Sequence, residues 1–467
     1  MMKNFRQLMA AALLATAAAA TAGTLAPRYI FYYIADGMGM GPVMAAQTYM
    51  RVVRGSDTPL LMMQFPTASW CQTWSVSSTT TDSSAAGTAL STGIKTRNGM
   101  LGMNPDTVAV TSVAATLHDA GWGVGITTSV AADDATPGAF YAHVPHRSMS
   151  YEIDCQAAEC GYEFLAGAGL SGLNGDRRDD ILRRMRENGV QMVYGPDGIK
   201  DINSRRVCLL NTPQGRTDDI GYTIDSLQGN LTLPLIAETC LAHLQKHSPD
   251  RFFMMVEGGN IDHALHANDG GTAMKEVINF DRALEVAYRF YLEHPDETLI
   301  VVTADHDTGG FVQGNNYIPY ASNLAVFDSQ RKSKERFSEE CRDMLRDGHG
   351  YSWSDMREKL SADFGLFTAV RVSEKQEKEL REMFVRTFEL RDSEDQKTLY
   401  ASFDAFTVAV FRLINDSAGI GFTTTGHSGN PVPLFAIGAG AEAFKGVYDN
   451  DMIAPVMLRL AGSAGEQ

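Results

Sequence analysis

The sequence predicts an α/β fold, an α/β/α sandwich around a mostly parallel central sheet with a helix-rich cap inserted into it. Three observations carry that expectation. Four apolar runs, Tyr29 to Ala35, Gly123 to Val130, Arg251 to Val256 and Leu299 to Ala304, are continuous rather than alternating, as in strands covered on both faces. Helix-like stretches such as Val110 to Ala120, closed by Gly121, lie between them. Each run then gives way to oxygen- or nitrogen-bearing side chains, at the strand ends where open α/β sheets place their ligands.

In chain order, the first 22 residues read as an export signal: Lys3 and Arg6, an apolar run from Leu8 to Ala20, then the small-residue site Ala20-Thr21-Ala22. The mature chain is expected to start near Gly23, in a periplasmic or secreted setting. No later stretch is apolar enough to span a membrane. Export permits disulfides among the six cysteines, with Cys155 and Cys160 the expected local pair. With 467 residues and a formal net charge of -16, the chain is long enough for one large α/β unit. It has no basic run that could track a nucleic-acid backbone, which argues against nucleic acid as a structural partner.

The first strand ends in Asp36-Gly37-Met38-Gly39, which alone reads only as a turn. The segment Thr79 to Gly93 turns from hydroxyl-rich loop to small helix formers at Asp82-Ser83-Ser84. Ser83 at a helix start, where unpaired amides favour an anion, is a candidate nucleophile for phosphate chemistry. No histidine lies nearby in sequence to activate it, so a metal-bound alkoxide is the expected activation. The second strand runs into Asp133-Asp134-Ala135-Thr136-Pro137, with Pro137 opening a helix and Thr136 as its cap. Arg147, in a loop, has the fork that grips two phosphate oxygens.

The third strand ends in Glu257-Gly258-Gly259-Asn260-Ile261-Asp262-His263-Ala264-Leu265-His266. Asp262 and His266 are four apart, so a helix presents both on one face to a metal. The fourth ends in Asp305-His306-Asp307, an acid and an imidazole that suit a metal better than a core. His427, in Gly426-His427-Ser428-Gly429, adds an imidazole just before the apolar segment Pro433 to Ile437. Asp36, Thr136 and Glu257 form an oxygen-rich set suited to magnesium, whereas the mixed nitrogen and oxygen sets suit zinc.

Taken together, the pieces Asp-Gly-Met-Gly at 36, Thr-Asp-Ser-Ser-Ala-Ala-Gly-Thr-Ala from 81, Asp-Ala-Thr-Pro at 134, Glu-Gly-Gly-Asn-Ile-Asp-His-Ala-Leu-His at 257, Thr-Ala-Asp-His-Asp at 303 and Gly-His-Ser-Gly at 426 resemble the alkaline phosphatases of the three-metal, serine-nucleophile type. The resemblance implies a phosphomonoesterase acting through a phosphoserine on Ser83. It implies two zinc ions, one on Asp262, His266 and His427, the other on Asp36, Asp305, His306 and the Ser83 oxygen. One magnesium would be held by Asp36, Thr136 and Glu257. Arg147 matches the family arginine on the phosphate oxygens and Asp82 the acid beside the nucleophile. Asp134 and His263 fall behind the ligands at positions that vary among relatives, and the pair found here bears on magnesium affinity, phosphate release and pH optimum.

Between His306 and His427 lie 120 residues, many charged and helix-forming. Ser373-Glu374-Lys375-Gln376 reads as a capping box, followed by the apolar stripe Leu380, Met383, Phe384 and Phe388. The expected division is a catalytic domain from 23–310 and 421–467, with 311–420 as the cap. In relatives this interval lies near the active site and the dimer interface, which implies access control and a homodimer. Competing readings are a phosphodiesterase or sulfatase on the same fold and a non-catalytic exported metal-binding relative. Ser83 is followed by Ser84-Ala85, without the Cys/Ser-x-Pro-x-Arg pattern of sulfatases, and no Gly-Lys-Ser/Thr follows a strand as in a P-loop.

Overall fold

The computed structural model describes residues 26–212, 218–225, 228–392 and 394–463. The expected leader at 1–22 lies outside the described residues. Ten strands form one sheet: β1 (Tyr29–Ile34), β2 (Thr67–Gln72), β3 (Gly123–Thr128), β4 (Phe164–Gly167), β5 (Val190–Tyr194), β6 (Arg206–Leu210), β7 (Phe252–Glu257), β8 (Thr298–Thr303), β9 (Val432–Gly438) and β10 (Val447–Asp449). Their order is β10-β2-β9-β8-β1-β7-β3-β4-β6-β5. Only β9 runs against its neighbours. The sheet is therefore mostly parallel, as the sequence predicts.

Every residue of β1, β3, β7 and β8 is buried, which explains why those runs do not alternate. Successive residues of β1 serve opposite faces. Tyr32 meets Phe140 edge-on, while Tyr33 meets Phe280 and donates to the Ala283 carbonyl at 2.9 Å. Helices Met40–Val52, Leu233–His247 and Gly270–Glu293 pack as one group, and Ser83–Thr92, Val113–Asp119 and Ile453–Leu460 as another.

The registers set the functional edge. Ile34 pairs with both Glu257 and Thr303, and Thr128 pairs with Glu257, so β1, β3, β7 and β8 end flush. The reversed β9 begins where its neighbour ends, with Leu434 opposite Thr303. A residue just before β9 thus reaches the edge that the parallel strands reach with their carboxyl ends.

Two expectations are corrected. Asp134, not Thr136, caps the short helix Ala135–Gly138, its carboxylate accepting from Ala135 N at 2.6 Å. Pro137 is tolerated within that first turn because its missing N–H would have no intrahelical partner there, and the Thr136 hydroxyl is left for other use. Cys155 and Cys160 are not joined, and all six cysteines are free thiols. The helix Ser150–Glu159 runs between them. Five residues of helix rise about 7.5 Å, beyond what a disulfide bridges.

Within 311–420, Val312 and Gln313 pair with Gly421 and Ile420, so the segment leaves and rejoins the sheet domain at one place. It contributes helices Lys334–Asp347, Trp353–Phe364, Glu374–Phe384 and Ala405–Ala418. Ser373 and Gln376 form the capping box, and Leu380 and Phe384 of the stripe are buried. Phe337 is the hub, edge-on to Phe364 at 5.0 Å and within 6.4 Å of both Phe406 and Phe411. Phe337→Ala removes a fully buried ring from this cluster. The expected outcome is a loss of about 3–5 kcal/mol, read as a lower urea midpoint for the first unfolding transition.

Candidate metal centre and active site

Helix Ser83–Thr92 carries the candidate nucleophile at its first residue, and all ten of its residues are buried. Small side chains make that possible. Asp82 is the N-cap: one carboxylate oxygen accepts from Ala85 N at 2.9 Å, the other from Ser84 Oγ at 2.6 Å and Gly99 N at 2.8 Å. With Asp82 so engaged, the Ser83 hydroxyl turns to the sheet edge, where its Oγ lies 3.1 Å from His306 Nε2.

The strand ends converge on this point. Asp36, Asp305 and His306 offer one ligand atom each within 4.8 Å of one another, and so do Asp262, His306 and His427. His306 Nε2 lies 3.1 Å from Asp305 Oδ2 and 3.5 Å from Asp36 Oδ1. Helix Asn260–His266 does present Asp262 and His266 together, with His266 Nε2 3.3 Å from Asp262 Oδ2 and 3.1 Å from His427 Nε2. The His306 and His427 rings stack at 3.6 Å. Backbone carbonyls fix the imidazoles, Thr425 O at 2.5 Å from His266 Nδ1 and Thr81 O at 2.8 Å from His427 Nδ1.

Beside this cluster, Glu257 is buried at the end of β7 and accepts from the Thr128 hydroxyl, with Thr136 adjacent. Arg147 sits one step outward, its Nη2 2.5 Å from Asp134 Oδ1. Its Nε and Nη1 make no hydrogen bond among the described residues, so part of the guanidinium fork remains available. The structure thus brings together Asp36, Ser83, Asp262, His266, Asp305, His306 and His427, sets Thr136 and Glu257 alongside, and places Asp134 and Arg147 at the rim. His263, on the same short helix, lies under Tyr400.

A family model described as alkaline phosphatase matches residues 28–165 and 168–463. The chain belongs to the alkaline phosphatase family. Alkaline phosphatase 4 of Bacillus subtilis is 28% identical over 393 residues, covering 81% of this chain and 76% of that protein. The repressible alkaline phosphatase of Saccharomyces cerevisiae is 25% identical, covering 90% and 78%. The crystal structure of Thermus thermophilus alkaline phosphatase superposes with a TM-score of 0.77 at 26% identity, covering 95% of this chain and 93% of that one. The chain is, like these relatives, a phosphomonoesterase.

The donors of this phosphatase fit divalent cations. Asp36 Oδ1, Asp262 Oδ2, Asp305 Oδ2 and Thr136 Oγ1 are buried without a hydrogen-bond partner, the close imidazole contacts lacking hydrogen-bond geometry. Such atoms are costly unless something charged faces them. Burial, then the Asp305 charge, pushes the Asp36 carboxyl well above the usual range. Burial, then the Asp134 charge, pushes Glu257 up to about 8. Burial opposes ionisation of Asp262 too, but His266 and then His427 hold it well below the ordinary range. Burial and the neighbouring His306 charge push His427 down to about 4. Acids are thus held neutral on the Glu257 side and ionised on the imidazole side.

Sequence reasoning missed two contributors. Thr308 donates its hydroxyl to Asp262 Oδ1 from a two-residue strand, Asp307–Thr308, paired with His427–Ser428. Tyr400 comes from the 311–420 segment, and its ring lies 3.8 Å from the His263 ring, tilted by 37°. No periodicity or motif marks either. Because a cation binds only the ionised carboxylate, its uptake on the Glu257 side must displace protons. Divalent-cation affinity on that side is expected to climb as pH rises through about 8, with protons released on binding. Calorimetry in buffers of different ionisation enthalpy reads both.

Proposed function

We propose that this chain is an exported alkaline phosphatase that hydrolyses phosphate monoesters to alcohol and inorganic phosphate through a phosphoserine on Ser83. The export reading rests on Lys3, Arg6 and the apolar run that follows them. Among the described residues no helix is long and apolar enough to cross a membrane. The observation that carries the catalytic reading is Ser83 Oγ, at a helix start, 3.1 Å from an imidazole that belongs to both groups of metal-ligand atoms.

We assign one zinc to Asp262, His266 and His427, a second to Asp36, Asp305 and His306, and magnesium to Asp36, Thr136 and Glu257. Bound there, the ions would supply Lewis acidity and offset negative charge on the reacting oxygens. The residues do the rest. The helix start and the amides behind it favour the phosphate anion. Free N–H groups of Arg147 hold two non-bridging oxygens, and Asp134 keeps that side chain in place. Ser83 Oγ, giving up its proton to solvent, then attacks phosphorus in line as the bond to the alcohol oxygen breaks and that oxygen takes up a proton. Water enters from the vacated side and loses a proton as its oxygen bonds to phosphorus, the Oγ–phosphorus bond breaks, Ser83 Oγ regains a proton, and phosphate leaves with overall retention.

Residues 311–420 act as a cap over this edge, a reading supported by the paired ends of the segment and by Tyr400 beside His263. Ser83→Ala is expected to lower kcat for a monoester by about 10³-fold or more while zinc and magnesium contents hold. Wild type quenched in acid during turnover of ³²P-labelled monoester should retain label on Ser83. Chelation should abolish turnover, and zinc with magnesium should restore it where magnesium alone does not. An unlabelled, fully active Ser83→Ala protein would remove the assignment.

A further inference from the structure

Tyr400 belongs to none of the motifs that carry the catalytic reading, yet it stands inside the site. The strands Gln396–Lys397 and Ser402–Phe403 pair as a hairpin. The turn between them is locked: Thr398 N donates to Ala401 O at 2.8 Å and Ala401 N donates to Thr398 Oγ1 at 3.2 Å. That closure presents Leu399 and Tyr400 at the tip. Leu399 faces solvent, whereas Tyr400 turns inward.

Its ring lies 3.8 Å from the His263 ring and meets His266 edge-on at 5.3 Å. Its oxygen is within electrostatic reach of Arg147, Asp134 and Asp262. The hydroxyl has no hydrogen-bond partner among the described residues. Asp134, Arg147, His263, Leu399, Tyr400 and Phe403 line one cavity of about 300 Å³. Tyr400 therefore shares a cavity with the arginine expected to hold non-bridging oxygens and packs on the helix that carries Asp262 and His266.

We infer that Tyr400 is a specificity-determining residue: its hydroxyl donates to a bare non-bridging oxygen of the substrate phosphate, and its ring excludes a substituent on that oxygen. The inference rests on the phosphomonoesterase reading. A monoester has one carbon substituent, on the leaving oxygen opposite Ser83, and three unsubstituted oxygens. A diester carries a second carbon on one of those three. Where that oxygen faces Tyr400 it can accept less and must push against a ring backed by His263. The hairpin cannot yield easily, because Thr398 and Ala401 clamp its base.

The test uses the full chain loaded with zinc and magnesium, as wild type, Tyr400→Phe and Tyr400→Ala. Turnover of p-nitrophenyl phosphate and bis(p-nitrophenyl) phosphate is measured, together with inorganic phosphate affinity by calorimetry and metal content. Tyr400→Phe is expected to weaken phosphate about tenfold, the loss of one hydrogen bond to a charged group, with metal content and diester turnover unchanged. Tyr400→Ala is expected to weaken phosphate likewise and to raise diester kcat/KM about tenfold as the steric block goes. Phosphate affinity within twofold of wild type in Tyr400→Phe, metal loss in that variant, or unchanged or lower diester turnover in Tyr400→Ala each overturns the inference. Absence of monoester turnover in the wild type overturns the parent reading instead, whatever the variants do.

Discussion

Everything at this sheet edge answers to one electrostatic constraint: Asp36, Glu257, Asp262 and Asp305 are all buried, and the charges of the other three bear on Asp36. Carboxylates so placed repel and lose solvation together, and protein alone offers them little relief. The imidazoles of His266 and His306 ease the load on Asp262 and Asp305, and their own protonation is favoured in return. For Asp36, burial and the surrounding carboxylates outweigh His306 at 3.5 Å, and both it and Glu257 are pushed above the usual carboxyl range. A set of buried oxygens without partners is a poor core and a good cradle for divalent cations, and the same cations are what a serine hydroxyl needs to act near neutral pH.

The backbone is built around bringing those groups close. Gly37 adopts φ +74°, and a Cβ there would lie 2.7 Å from Asp262 Oδ1. A Cβ at Gly39 would fall 1.9 Å from Asp307 Oδ1. The glycines of Asp-Gly-Met-Gly are therefore spacing devices that let the turn after β1 slide under two carboxylates, and the Gly37 N–H donates to Asp305 Oδ1 at 3.0 Å. The reversed β9 solves a different problem. A strand running with the others would leave the residue before it at the far edge, whereas reversal delivers His427 beside His306.

This explains what the sequence could and could not reveal. Strand positions were legible because burial on both faces abolishes alternation, and Glu257 was legible because a charged residue closes an apolar run. The partnership of Asp262 with His266 followed from helical spacing alone. The capping box at Ser373 was equally local. The cap on Ala135–Gly138 was misjudged because proline was allowed only the first helical position, when the whole first turn lacks intrahelical N–H partners. The expected Cys155 pairing neglected the helix between the two thiols. Tyr400 was invisible for a physical reason. It reaches the site through a tertiary contact between a hairpin tip and a helix some 130 residues earlier in the chain, and nothing in its neighbours' composition encodes that contact.

Asp134 shows how tightly the parts are coupled. One oxygen, Oδ1, accepts from Ala135 N at 2.6 Å and from Arg147 Nη2 at 2.5 Å. The same carboxylate opposes ionisation of Glu257 and Asp36. It thus orients Arg147, fixes the helix that holds Thr136, and adds to the field on the oxygen-rich side. A neutral or cationic residue in its place would loosen Arg147 and lower the Glu257 carboxyl at once. The placing of Arg147 and the ionisation of Glu257 therefore cannot be tuned independently through this position. In an acidic chain of net charge -16, the field that draws in the substrate must come from the few cations gathered here. The carboxylate that steadies Arg147 also offsets part of its charge, so a firmer hold on the arginine comes with a weaker pull on free phosphate.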